Sequence, residues 1–127
     1  MSALTDYISA WNSNDTASIV ATVTPDAVVT ESYGPVYHGQ ERIREWADKW
    51  FGRGGRVLNW VVTNEFATGN IVVAEWRFDY HADGSDRSFE GSTIATVRDG
   101  KIAALREYAT TAELYTWQGE WVQRRED

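Results

Sequence analysis

Apolar positions in the first dozen residues recur with helical spacing: Leu4, Tyr7, Ile8 and Trp11 fall at i, i+3, i+4 and i+7, one face of an α-helix that Ser2 can cap. Asn12-Ser13-Asn14 ends it. Asp15 can cap a second, short helix through Ile19, Val20 and Val23, which Thr24-Pro25 stops because the residue before a proline is pushed out of helical conformation. The β-branched run Asp26 to Glu31 reads as a strand and Tyr33-Gly34-Pro35 as a turn. Gly39 then opens a third helix with Ile43, Trp46, Ala47 and Trp50 on one face and charges elsewhere, ending at Gly52-Arg53-Gly54-Gly55.

Beyond that point the period changes to that of strands. Arg56 to Phe66, Ile71 to His81, Arg87 to Arg98 and Lys101 to Tyr108 are separated by turns at Thr68-Gly69-Asn70, around Asp83-Gly84-Ser85 and at Asp99-Gly100. Strands joined by tight turns pair antiparallel, so the pattern predicts an α+β fold: three helices placed before a meander of long strands. The tail from Thr111 carries Leu114, Tyr115, Trp117 and Trp121 before a charged Gln-Arg-Arg-Glu-Asp end, and its apolar side needs a surface to cover. It is expected either as a helix over a pocket mouth or as part of a dimer contact.

At 127 residues, with no internal repeat, the chain reads as one domain. Its 19 acidic residues outnumber 12 basic ones, and the basic ones form no patch, so nucleic acid is not an expected partner. There is no cysteine for a disulfide or thiolate, and the start Met-Ser-Ala-Leu-Thr-Asp lacks both a basic region and a long apolar run, which predicts a cytoplasmic location. No apolar stretch approaches the roughly 18 residues of a membrane span, so no membrane role is expected. Seven Trp, six Tyr and four Phe are many rings for so short a chain, and they serve either as core and subunit interface or as walls of a ligand cavity.

Asp6-Tyr7-Ile8-Ser9-Ala10-Trp11-Asn12, Ile19-Val20-Ala21, Asp26-Ala27-Val28-Val29, His38-Gly39 followed by Ile43-Arg44 and Trp46, and the closing Asp99-Gly100-Lys101-Ile102 with Leu105-Arg106-Glu107-Tyr108 together resemble the nuclear-transport-factor-2-like superfamily. The likeness covers about residues 3–110 of a single SnoaL-like domain spanning 1–127, with 111–127 as a C-terminal extension. The resemblance implies a cone-shaped fold, three N-terminal helices packed on a curved, mostly antiparallel sheet around a deep pocket. Members include ketosteroid isomerases, SnoaL-type polyketide cyclases, limonene epoxide hydrolases, dehydratases and non-catalytic scaffolds. One fold hosts unrelated activities, so the residues have to decide.

Two constellations follow from it. Tyr7 and Glu31 match the positions of the ketosteroid isomerase oxyanion donor and general base, where a carboxylate removes a proton beside a carbonyl and a buried phenol donates to the developing enolate. The base is Glu where that family has Asp, and Ser92 to Thr96 offers no carboxylate for its second oxyanion donor. Arg77, Asp79 and Glu107 resemble the set of limonene epoxide hydrolase, which implies Glu107 as base, Arg77 as bridge and Asp79 as acid. Residues two apart share a sheet face, so Glu75, Arg77 and Asp79 point one way and Trp76, Phe78 and Tyr80 the other. With the charges inward, the rings would form an outer patch for a second subunit; with the rings inward, the charges are surface decoration. The match favours charges inward.

Trp11, Trp46, Trp50 and Trp60 are candidate pocket walls, and His38 a candidate at the pocket mouth. His38 and His81 share no ligand cluster, so no metal is expected, and the absence of a phosphate loop or dinucleotide fingerprint predicts no cofactor. The expected function is cofactor-independent acid/base chemistry on a small apolar molecule by an isomerase, cyclase or epoxide hydrolase type of enzyme, working as a homodimer. The alternatives are a ligand-binding protein without turnover and a dimeric interaction module.

Overall fold

The structure is a computed structural model that describes residues 2–122. Helix α1 (Ala3–Asn12) starts at Ser2, whose hydroxyl accepts from the Thr5 amide while Thr5 answers back to the Ser2 amide, a reciprocal capping box. Helix α2 (Thr16–Val20) is capped by Asp15. It ends earlier than the apolar spacing suggests: Val23 already belongs to strand β1 (Val23–Thr30), in which Pro25 coincides with an irregular register between Val23 and Val28. A short strand that the pattern does not announce, β2 (Val36–His38), turns back along β1 and leads into α3 (Gln40–Gly52). Gly39 at that junction has φ 90°, a backbone conformation that favours glycine.

The meander β3 (Arg56–Thr68), β4 (Ile71–Ala82), β5 (Ser85–Arg98) and β6 (Lys101–Ala109) follows as expected. The six strands form one sheet in the order β2-β1-β6-β5-β4-β3, antiparallel throughout except that β1 runs parallel to β6. The helices pack on one face of it, and the core between them joins Leu4, Tyr7 and Ile8 of α1 to Ile43 and Ala47 of α3 and to Val29, Ala95 and Leu105 of the sheet. Among the described residues no helix is long and apolar enough to cross a membrane.

Of the two arrangements expected for the tail, the helix is not formed, although residues 110–114 do border the cavity. Residues 110–122 form neither helix nor strand, although the Thr110 amide and hydroxyl prolong the ladder by donating to the Glu90 carbonyl. Leu114, Tyr115, Trp117 and Trp121 stay exposed, and the charged end 123–127 lies outside the described residues.

Strand β3 is an edge, and an unpaired edge invites association with other chains. Part of it is closed from within. Asn12 donates to the Trp60 carbonyl (3.0 Å) and accepts from the Trp60 amide (2.8 Å), and Asn14 does the same to the carbonyl and amide of Val57 (3.0 and 2.7 Å). Two side-chain amides thus imitate a neighbouring strand and tie the end of α1 to the sheet. Removing either amide leaves a backbone donor and acceptor without partners, at about 1–3 kcal/mol. Asn12→Ala and Asn14→Ala are each expected to lower the urea midpoint accordingly; an unchanged midpoint for both would show that water replaces these bonds without loss.

Candidate functional site

The inner face of the sheet is set by the rings of β4. Trp76 is buried, its ring 5.4 Å from that of Trp60; Phe78 lies 5.3 Å from Trp60, and Tyr80 packs toward Trp50 and Phe89. Trp76 is further fixed by its indole N–H, which donates to the Thr93 hydroxyl at 2.8 Å, and by Gly91, which it overlies. A methyl group at Gly91 would stand 2.6 Å from the Trp76 ring and 2.4 Å from the Tyr108 carbonyl oxygen, so only glycine fits there.

Alternation then turns Glu75, Arg77 and Asp79 to the outer face. There Arg77 Nε bonds Asp79 Oδ1 at 3.0 Å, the Ser88 hydroxyl donates to Asp79, and Asn64 donates to Glu75. The expected set of Arg77, Asp79 and Glu107 is therefore not assembled: Arg77 only borders the cavity, and Asp79 does not line it. The physical reason is that three large rings are costlier to leave in water than an ion pair that the solvent serves equally well.

Between this face and the helices lies a cavity of about 1100 Å³. Trp11, Trp46, Trp50 and Trp60 are among its walls, as the sequence suggests, and Trp76 and Phe89 complete the apolar side. His38 does not take part: Tyr37 sits opposite the buried Val29, so the next residue along β2 is turned out and exposed. Tyr37 instead stacks on Trp46, with ring centroids 4.3 Å apart. A smaller recess of about 440 Å³ shares Trp46, Trp50, Tyr33 and Arg53 with the cavity and adds Arg42 and Lys49.

Of the acidic residues that line this space, Asp83, Glu90 and Glu113 are exposed, whereas Glu31 beyond the end of β1 and Glu107 on β6 are largely withdrawn from solvent. Their surroundings differ. Glu31 Oε1 accepts from the hydroxyls of Tyr33 (2.8 Å) and Tyr37 (2.6 Å), and burial raises its pKa while those bonds hold it down. Glu107 has no such donors. It follows the buried Leu105 on the same face, and desolvation with the nearby charge of Glu31 pushes it up to about 8. Burial raises both groups, and Glu107, without hydrogen bonds to offset it, is held more strongly toward its protonated form.

Tyr7 is wholly buried, and burial with the charges of Glu107 and Glu31 raises its phenol well above the usual value. Among the described residues its hydroxyl and the indole nitrogens of Trp11 and Trp60 are buried without a hydrogen bond of good geometry, although Trp11 lies close enough to Tyr7 to offset part of that rise. The sequence pointed to Tyr7, Glu31 and Glu107 through separate resemblances; the structure places Glu31 and Glu107 on one cavity and Tyr7 close enough to feel their charges, though not among the cavity's lining residues. It also adds Tyr33 and Tyr37, whose only signal was the turn at Gly34-Pro35 that folds Tyr37 back toward Glu31. Among the described residues no group of three or more His, Cys, Asp or Glu side chains is arranged to hold a metal ion.

A family model described as the SnoaL-like domain matches residues 4–105. The chain belongs to that family. No curated protein matches this SnoaL-like chain in sequence. Among solved structures it is similar to an epoxide hydrolase of the LEH-like kind from M. tuberculosis, with TM-score 0.76 and 19% identity over 85% of this chain and 80% of that one. It is similar, too, to a protein of ketosteroid isomerase-like fold from Catenulispora acidiphila, solved with trimethylamine, with TM-score 0.75 and 18% identity over 86% and 85%. A protein assigned as a polyketide cyclase from Pseudomonas putida superposes with TM-score 0.71 and 21% identity over 87% and 93%. These likenesses establish an α+β fold of the nuclear-transport-factor-2-like type.

Glu107 gives the SnoaL-like domain a pH-dependent stability. Between about 4.5, where an unfolded glutamate titrates, and about 8, the folded protein keeps a proton that the unfolded chain has released. Rising pH therefore favours unfolding across that window, by a few kcal/mol at most at about 1.4 kcal/mol per tenfold change in proton affinity. Glu107→Gln, a neutral mimic, is expected to melt several degrees above the wild type at pH 8 and above, with the gap closing toward pH 5. A difference in melting temperature that stays constant over that range would contradict the assignment.

Proposed function

We propose that this SnoaL-like protein is a cofactor-independent acid/base enzyme of the isomerase, cyclase or epoxide-hydrolase kind, acting on a small, mostly apolar molecule. The observation that carries the reading is the pair Glu31 and Glu107: two carboxyl groups on one cavity whose environments drive their protonation states apart. In a proton abstraction, Glu31 takes a proton from carbon beside a carbonyl. The C–H electron pair becomes the enolate double bond, and charge collects on the carbonyl oxygen. Glu107, still protonated, donates to that oxygen and can hand the proton on. With an epoxide the same two groups divide the work differently, Glu31 drawing a proton from water and Glu107 giving one to the opening oxygen.

The Trp-lined walls favour a flat, apolar substrate. A binding role without turnover draws support from a different observation: the Tyr7 hydroxyl and the two indole nitrogens are shielded from the cavity as it stands. Homodimerisation is proposed on the exposed Val61, Ile94 and Tyr108 of the outer sheet face.

Turnover of a panel of enones, cyclic ketones and epoxides separates the first two readings. Under the enzyme reading Glu31→Gln lowers kcat by about 10²–10⁴ while the fold and ligand-induced shift in melting temperature persist. The pH profile of kcat/KM falls as Glu107 deprotonates near 8, and Glu107→Gln removes that limb. Ligands that raise the melting temperature yet are returned unchanged would establish the binding role instead.

A further inference from the structure

Among the described residues Glu31 and Glu107 carry no ion pair, although Arg53, Arg77 and Arg87 also line the cavity. Arg77 is bonded to Asp79 on the outer face, Arg98 to Asp26, and Arg42 and Lys49 share Glu45 on the exposed side of α3. Arg53 and Arg87 border the opening as exposed side chains. The groups that face Glu107 are Glu31 from the end of β1 and Tyr7 from α1, with Thr93 opposite it on β5, and none of them is a cation. Burying a carboxyl without a cation is costly, and here the cost is met only by keeping a proton.

What surrounds these carboxyls is equally specific. Trp11 and Trp46 lie 4.9 Å apart and tilted, Trp50 meets Trp11 edge-on at 6.0 Å, and Tyr37 stacks on Trp46. Indole faces carry negative quadrupole potential and attract a positive charge spread over apolar carbon, worth more when water is excluded. A small metal ion would have to shed tightly held water for these rings, whereas an alkylated ammonium ion sheds little. We propose that the cavity binds a compact organic ammonium ion, of the size and kind of choline, with its charge met by Glu31 and Glu107 and its alkyl groups by the indoles.

This site needs no turnover, so it stands apart from the acid/base reading. It does have a proton balance. A cation held beside Glu107 lowers the affinity of that group for its proton, so below about pH 8 binding releases a proton to the buffer, and the ammonium replaces it as counter-charge.

The test is calorimetric titration of the full chain with choline and with its neutral carbon isostere, in buffers of different ionisation heat, from pH 6 to pH 9 as an order-of-magnitude window around the Glu107 transition. Choline is expected to bind about tenfold or more tighter than the isostere, with affinity rising until about pH 8 and a buffer-dependent heat that shows proton release below it. Glu107→Gln should remove the pH dependence and the proton release, Glu31→Gln should weaken choline about tenfold or more, and Asp79→Asn, on the outer face, should behave as the wild type. Equal affinity for the isostere, or no choline binding by a protein whose melting curve shows it folded, overturns the proposal. The outcome is separable from the enzyme reading, which stands or falls on the turnover lost in Glu31→Gln whether or not choline binds.

Discussion

Three rings at alternate positions of one strand can share only one face of a sheet, and in this chain the choice of face for Trp76, Phe78 and Tyr80 governs everything else. Burying each ring removes on the order of 150–250 Å² from water, worth several kcal/mol, whereas an exposed Arg–Asp pair contributes about 1 kcal/mol or less. The parity of β4 is therefore not in balance. Once it is fixed, the antiparallel register transmits it: Phe89 sits opposite Phe78, Gly91 opposite Trp76, and Glu107 opposite the buried Thr93. A preference for burying rings on one strand thus decides which carboxyl of another strand enters the cavity.

The two carboxyls solve the same desolvation problem by different means. Glu31 recruits two phenols, which stabilise its charge through short hydrogen bonds and are themselves held in the protonated form by burial and by the bond to Glu31. Glu107 recruits none and takes up a proton instead. Because the two are near enough to feel each other, the charge that the tyrosines preserve on Glu31 is one of the reasons Glu107 stays neutral. The division into an acceptor and a donor is thus a property of the pair and its hydrogen bonds, and altering Tyr37 reaches Glu107 without touching it.

Much of the scaffold was legible because it rests on local rules. The period of Leu4, Tyr7, Ile8 and Trp11, the caps at Ser2 and Asp15, and the Asp99-Gly100 turn each fix a segment by interactions within a few residues. The site was legible only in pieces. Alternation showed that Arg77 and Trp76 oppose each other, but not which one faces the helices, since that depends on rings supplied by Trp60 and Phe89 from neighbouring strands. The Asn12 and Asn14 bonds to β3 reach across more than forty positions, and nothing in Asn-Ser-Asn distinguishes a helix end from a strand mimic. His38 was misplaced because β2 is three residues long, too short to show a period.

The family match ends at Leu105, two residues before Glu107. Leu105 is wholly buried, so the last matched position of β6 already commits the strand to a phase, and two residues on that phase delivers a side chain to the cavity. The phase set by Leu105 is therefore an inward-pointing address, and Glu107 occupies it. An apolar residue at 107 would leave Glu31 free of that neighbouring charge and without a second withdrawn carboxyl beside it. Glutamate there gives the same walls a second withdrawn carboxyl whose protonation depends on the charge of Glu31.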